Sequence, residues 1–211
     1  MQGAVYEELG SYGFVAPTVA FEKARDAEEL ALKLDPKYAL AHSVLGDLHG
    51  FDWDWPAADR EHQLAQALAP RDPAVLLLAA GQSLIMGRWD DALKLINGSL
   101  ALDPLNAGSY VVLAFVQLHR GQLQEAEAAA RRILAISPTS FYAHSYRGDV
   151  LLANGDTEAA LAEMLKERNE ASRLRGSGMA YFAMGRKTDS DSALAQLLER
   201  QSNQPFRIAQ V

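Results

Sequence analysis

Residues 107–140 read AGSYVVLAFVQLHRGQLQEAEAAARRILAISPTS. Tyr110, Leu113, Ala114 and Gln117 fall on one side of a first helix, and Gly121 then breaks the chain. Leu123, Ala126, Ala130, Ile133 and Leu134 form the apolar stripe of a second helix, which Ser137-Pro138 ends. The spacing of three to four is the helical period, and glycine and proline stand where a helix must stop. This unit is copied along the chain. Ala24, Ala58, Ala92, Ala126 and Ala160 recur at one constant interval, and Pro36, Pro70, Pro104 and Pro138 keep the same interval. A fixed period of that length means one supersecondary unit repeated end to end, which makes the fold all-α and solenoid-like.

The small residues have a steric role. Gly46, Ala80, Ala114 and Gly148 recur with the same period in the first helices, as the alanines do in the second. Small side chains let two antiparallel helices approach closely while larger neighbours fill the gaps. The turn carries Gly87, Gly121 and Gly155 at the full period, and Gly185 follows early, so the last unit is four residues short. These residues resemble the tetratricopeptide repeat, a 34-residue helix–turn–helix with small residues at the helix crossing, a glycine turn and a closing proline. The resemblance implies a right-handed α-solenoid over residues 1–211. Its repeats are expected at 4–38, 39–72, 73–106, 107–140 and 141–174, with a shortened unit at 175–202 and the start of a further helix at 204–211. Met1-Gln2-Gly3 and the abrupt stretch 205–211 read as the ends of an excised fragment.

A narrower resemblance lies in Tyr12-Gly13-Phe14 with Phe21-Glu22-Lys23-Ala24-Arg25. It continues in Phe51-Asp52-Trp53-Asp54-Trp55 with Ala58-Asp59-Arg60-Glu61, and in Gly185-Arg186-Lys187 with Ser190-Asp191. These stretches are similar to repeat arrays on the C-terminal side of bacterial signalling proteins, where the array follows a nucleotide-cyclase, winged-helix DNA-binding or kinase domain. None of the catalytic or DNA-reading motifs of those domains is present in this sequence.

Composition excludes several classes. The formal charge of −7, with both signs interspersed, argues against gripping nucleic acid or an anionic membrane by charge. The absence of cysteine excludes disulfides and zinc–thiolate sites and fits a reducing cytoplasm. No apolar stretch approaches a membrane span, and no signal peptide opens the chain. His42 and His144 hold equivalent repeat positions, which marks them as packing residues. His49, His62 and His119 lie in different helices, so no metal or cofactor is expected. Arg147-Gly148-Asp149 spells an adhesion tripeptide, but Gly148 fills the small-residue slot inside a helix. No catalytic constellation emerges. An enzymatic reading applies only to a longer parent such as a cyclase.

The expected function is therefore binding. In arrays of this kind the first helices line a concave face. By repeat register that groove takes Asp47, Phe51, Leu77, Leu84, Val111, Phe115, His119, Tyr142, Ser145, Asp149, Leu152 and Phe182. No basic clamp for acidic tails exists, because the equivalent places carry Ser43, Asp47, Leu78, Gly108 and Val112. An amphipathic helix, an extended apolar peptide or a sister domain of the parent chain suits such a groove. Self-association through the solenoid ends is the alternative. Trp53 is the residue expected to be exposed as an anchor. Trp55 packs as Trp89 and Leu123 do, with Asp54 capping the second helix. The charge-rich run over 163–175, from Glu163 through Lys166 and Glu167 to Arg175, reads as a solvated helix side at an altered repeat junction.

Overall fold

The computed structural model describes residues 2–11, 17–140 and 142–200. Tyr12-Gly13-Phe14 and the stretch 205–211, singled out above, lie outside the described residues. Among those described, the elements are helices arranged as consecutive antiparallel pairs. The first unit, Met1–Pro104, holds α1 (Gln2–Ser11) with α2 (Pro17–Leu34), α3 (Ala39–Phe51) with α4 (Trp55–Leu68), and α5 (Pro73–Ile85) with α6 (Trp89–Leu102). The second, Leu105–Val211, holds α7 (Ala107–His119) with α8 (Leu123–Ile136), α9 (Ala143–Ala153) with α10 (Thr157–Met164), and α11 (Glu170–Ala183) with α12 (Lys187–Arg200). The boundary between the units falls at the proline turn between two repeats.

Within the first unit α1, α3 and α5 lie side by side; α2 packs on α1 and α3, α4 on α3 and α5, and α6 on α5. The second unit repeats this scheme with α7, α9 and α11. The alanine series makes the close approach possible: Ala24, Ala58, Ala92, Ala126 and Ala160 are all fully buried. The glycines opposite them are as tightly bounded. A Cβ on Gly46 would stand 2.7 Å from His62 Cδ2, and one on Gly148 would stand 2.4 Å from Met164 Cγ.

Helix starts follow capping chemistry, which satisfies amides that lack an intrahelical partner. Asp72 accepts from the backbone N–H of Ala74 at 2.8 Å, Asn106 from Ser109 at 3.0 Å and Asn169 from Ser172 at 2.9 Å. Second helices use Asp54, which accepts from Ala57 at 3.1 Å, and Asp156, which accepts from Ala159 at 3.2 Å. The turns after α5, α7, α9 and α11 each hold a left-handed residue. It is glycine at 87, 121, 155 and 185, with φ of 70°, 72°, 83° and 74°.

The four-residue shortening has a definite place. Helix α10 is 8 residues long where α4, α6 and α8 have 14, so α11 starts at Glu170, ahead of the Arg175 where the sequence reading begins the last unit. The charged run at this junction is not a solvated helix side. Glu163 and Glu167 are buried, at 5% and 1% exposure. No helix among the described residues is long and apolar enough to cross a membrane.

Candidate protein-interaction face

The residues expected to line a groove lie on the first helices α3, α5, α7, α9 and α11, with Tyr142 at the N-cap of α9. In the first unit Asp47 turns inward, its Oδ1 3.1 Å from Nε2 of the buried His62. Burial pushes its carboxyl above the ordinary value, and His62 offsets only part of that. Phe51 is 45% exposed and stacks on Phe21 with ring centroids 4.3 Å apart. Leu77 and Leu84 are half-buried. Trp53 is 77% exposed, at the head of the α3–α4 turn.

A polar cleft of about 230 Å³ lies among α4, α5 and α6, lined by Asp59, Gln63, Gln66, Asp91 and Lys94 among others. Asp59 binds Arg88 and Gln82 there. Burial raises the Asp59 carboxyl, but these two partners outweigh it and hold the group below its ordinary value. The unpartnered atoms of its walls, His62 Nδ1 and Gln82 Oε1, are sealed from solvent and present nothing to a ligand.

In the second unit Val111, Phe115 and His119 descend one side of α7 at successive i, i+4 steps. The Phe115 and His119 rings lie 4.0 Å apart, and His119 Nδ1 is 2.8 Å from the Phe115 carbonyl oxygen. On α9, Ser145 and Asp149 are both reached by Arg175 of α11, whose Nη2 donates to Ser145 Oγ and to Asp149 Oδ2 at 2.8 Å each. Burial raises the Asp149 carboxyl, and Arg175 and the neighbouring His119 pull against it without restoring the ordinary value. Ser145 is 2% exposed and adds little surface of its own. Leu152 is half-buried, Phe182 is 74% exposed, and Tyr142 opens α9 in the left-handed region with φ 72°.

Arg175 is the residue the register should have found. From Gly155 to Gly185 the repeat interval is 30, and the same step from Ser145 lands on Arg175. The junction behind it gathers charged groups around the buried Met164. Glu163 accepts from Arg147 Nη1 and Lys166 Nζ and meets His144 Nδ1, each at 2.7 Å. Burial raises its carboxyl, but the contacts with Lys166 and His144 and the Arg147 charge hold it below the ordinary value. Glu167 accepts from the backbone N–H of Ser145 at 3.2 Å and of Asn169 at 3.0 Å. Among the described residues no three ligating side chains converge as a metal site.

Residues 83–150, from the end of α5 to the middle of α9, match the family model of the tetratricopeptide repeat. Helix pairing, turn glycines and buried alanines continue the pattern on both sides of that stretch. The fold is that of tandem tetratricopeptide repeats. Solved structures agree. A thermophilic tetratricopeptide protein of Thermus thermophilus superposes with a TM-score of 0.71 at 21% identity, over 80% of this chain and 94% of that one. PilW, a type IV pilus biogenesis factor, gives 0.71 at 19% identity over 93% and 92%. A chain of the APC/C hetero-tetramer Cut9–Hcn1 gives 0.75 at 16% identity over 85% of this chain and 37% of that one. At such identities the likeness is one of tetratricopeptide fold. No curated protein sequence matches the chain.

Proposed function

We propose that this chain is a protein- or peptide-binding region of a bacterial signalling protein, holding a peptide or a sister domain on the face of its first helices. One observation carries the reading: Phe182, on the face-bearing helix α11, leaves 74% of its surface in water. Val111 and Phe115 on α7 extend the apolar character of that face, and the Arg175–Asp149 pair lends it polarity at one point. Side chains that exclude no water within the fold are available to exclude it at an interface. The sequence likeness to signalling arrays is supported by residues 51–61 and 185–191. In the second of these, Arg186 pairs with Asp189 and Lys187 with Asp191, each at 2.7 Å.

The test is a pull-down from bacterial lysate with the native chain beside a Phe115→Ala/Phe182→Ala variant shown to be folded by circular dichroism. A protein retained by the native chain and lost by the variant supports the face. An identified partner that binds both forms equally rejects it.

A further inference from the structure

The α3–α4 turn departs from the four later turns between paired helices at its left-handed position. Trp53 stands one full period before Gly87, at the place that Gly87, Gly121, Gly155 and Gly185 hold in the later turns. Its backbone has the same shape. The N–H of Trp53 donates to Gly50 O at 3.0 Å, as that of Gly87 does to Leu84 O at 2.9 Å. The following N–H of Asp54 donates to His49 O at 2.9 Å, as that of Arg88 does to Ser83 O at 2.8 Å. The conformation is therefore left-handed at all five positions, with φ 64° at Trp53. Glycine adopts it freely, whereas a side chain there crowds the carbonyl oxygen. The fold recovers little in exchange. Trp53 is 77% exposed, and its ring approaches Trp55 edge-on with centroids 5.5 Å apart. A bulky residue in a strained conformation, pointing into water, costs folding stability that glycine at the same place would not.

Its surroundings indicate what it meets. Phe51, 45% exposed, lies two residues away and stacks on Phe21, extending the aromatic surface. Two carboxylates, Asp52 and Asp54, alternate with the aromatic rings; the Asp52 side chain is 60% exposed although it pairs with Arg25, and Asp54 commits only Oδ1 to capping α4. Aromatic faces flanked by carboxylates attract a cation that also carries apolar stem, as arginine and lysine do. The chain as a whole, at −7, favours a basic partner over an acidic one.

We propose that the turn at 51–55, which continues from the end of α3, is a docking surface centred on Trp53 and that it takes an arginine- or lysine-bearing apolar segment of a partner protein.

The strain makes a clean test, because Trp53→Gly returns the turn to the residue used in the other four. Two short synthetic peptides serve as probes, one of leucine, alanine and arginine and one with glutamate replacing each arginine. They are titrated by calorimetry into the full chain, Trp53→Gly and the Phe115→Ala/Phe182→Ala variant. Expected are saturable binding of the arginine peptide by the native chain, weakening by about tenfold or more in Trp53→Gly, and a higher melting temperature for that variant. Loss of the arginine peptide by the Phe115→Ala/Phe182→Ala variant with none in Trp53→Gly would place the peptide on the face of the first helices and overturn this assignment, while leaving the proposed function standing. The assignment is overturned if neither peptide saturates the native chain, if the glutamate peptide binds as well, or if Trp53→Gly binds undiminished. A lower melting temperature for Trp53→Gly would overturn it too, by showing that the ring serves the fold.

Discussion

The repeats at 39–72 and 141–174 are three periods apart, and their equivalent residues differ by 102 in number. Both use the same histidine–glutamate contact between paired helices: His42 with Glu61 at 2.6 Å and His144 with Glu163 at 2.7 Å. Both place an aspartate in the same turn of the first helix, Asp47 and Asp149, with its side chain mostly covered. They part in what surrounds these groups. Glu61 has 27% of its side chain exposed and meets His42, while Glu163 has 6% exposed and gathers His144, Arg147 and Lys166. Asp47 faces His62 of its own repeat, whereas Asp149 is answered by Arg175 from the next. The shortening of α10 accounts for the difference. With α10 ending early, the segment before α11 brings Glu167 and Arg175 up to α9, where charged groups satisfy one another beside the buried Met164.

That contrast predicts unequal sensitivity. Removing one member of a buried charge cluster leaves the others uncompensated, while removing a half-exposed partner lets water take its place. Glu163→Gln should therefore cost about 3–5 kcal/mol in urea unfolding, and the equivalent Glu61→Gln about 1 kcal/mol. Equal losses would show that burial of the cluster, not the shared histidine contact, has been misjudged.

Arg175→Leu comes next. It strands the Asp149 carboxylate, whose pair partner is 18% exposed, and should cost about 2–4 kcal/mol at neutral pH. Adding Asp149→Asn should recover much of that loss, since an amide tolerates burial better than an unpaired charge. If the double variant is no more stable than Arg175→Leu alone, Arg175 acts through its stem and its contact with Met179 Sδ at 3.2 Å.

The two glycines sharpen the comparison on steric ground. Met164 is wedged between Gly148 and Gly176, a Cβ on the latter standing 2.9 Å from its Cγ. Gly148→Ala therefore meets a side chain with no room to yield, and should cost about 2–3 kcal/mol by thermal unfolding. Gly46→Ala meets the edge of the His62 ring alone, and helix propensity returns part of the strain, so about 1 kcal/mol is expected.

Much of this architecture was legible in advance. The alanine and proline periods report contacts repeated at every helix crossing, and they locate the helices, the caps and the turn glycines without reference to anything distant. The polar junction was not legible in the same way. Glu163, Glu167 and Arg175 look like a solvated run because charge along one helix is ordinary, and their burial arises when a neighbouring helix closes over them. That closure depends on where four residues were lost, which the glycine spacing bounds without saying which helix gave them up. Asp47 and Ser145 show the same limit. Register put them on the groove side, yet the ionic partners of adjacent helices draw Asp47 and Asp149 inward. Trp53 is the opposite case. Its exposure followed from its place in the turn, while its left-handed backbone needed comparison with Gly87 at the level of single hydrogen bonds.

The smallest effect is the most diagnostic of the Asp149–Arg175 pair, because its sign depends on pH. Asp149 is held above the value of 3.8 from which it starts, so folding favours its protonated form. That contribution is complete below 3.8 and is lost as pH rises through the higher folded-state value. Glu163 behaves in reverse: held below 4.5, it stabilises above that value, and the benefit is lost as pH falls through its lower folded-state value. Without Arg175 the Asp149 carboxyl moves further up, so the destabilisation by Arg175→Leu should be large at about pH 7 and shrink toward about pH 3, where the carboxyl is neutral in both the folded and unfolded chain. The Glu163→Gln penalty should also shrink as pH falls, but it vanishes only once the pH has passed below the lowered folded-state value of the native glutamate. An Arg175→Leu penalty that stayed constant across the range would mean that Asp149 is solvated in the variant, and that the guanidinium holds α9 and α11 together by shape more than by charge.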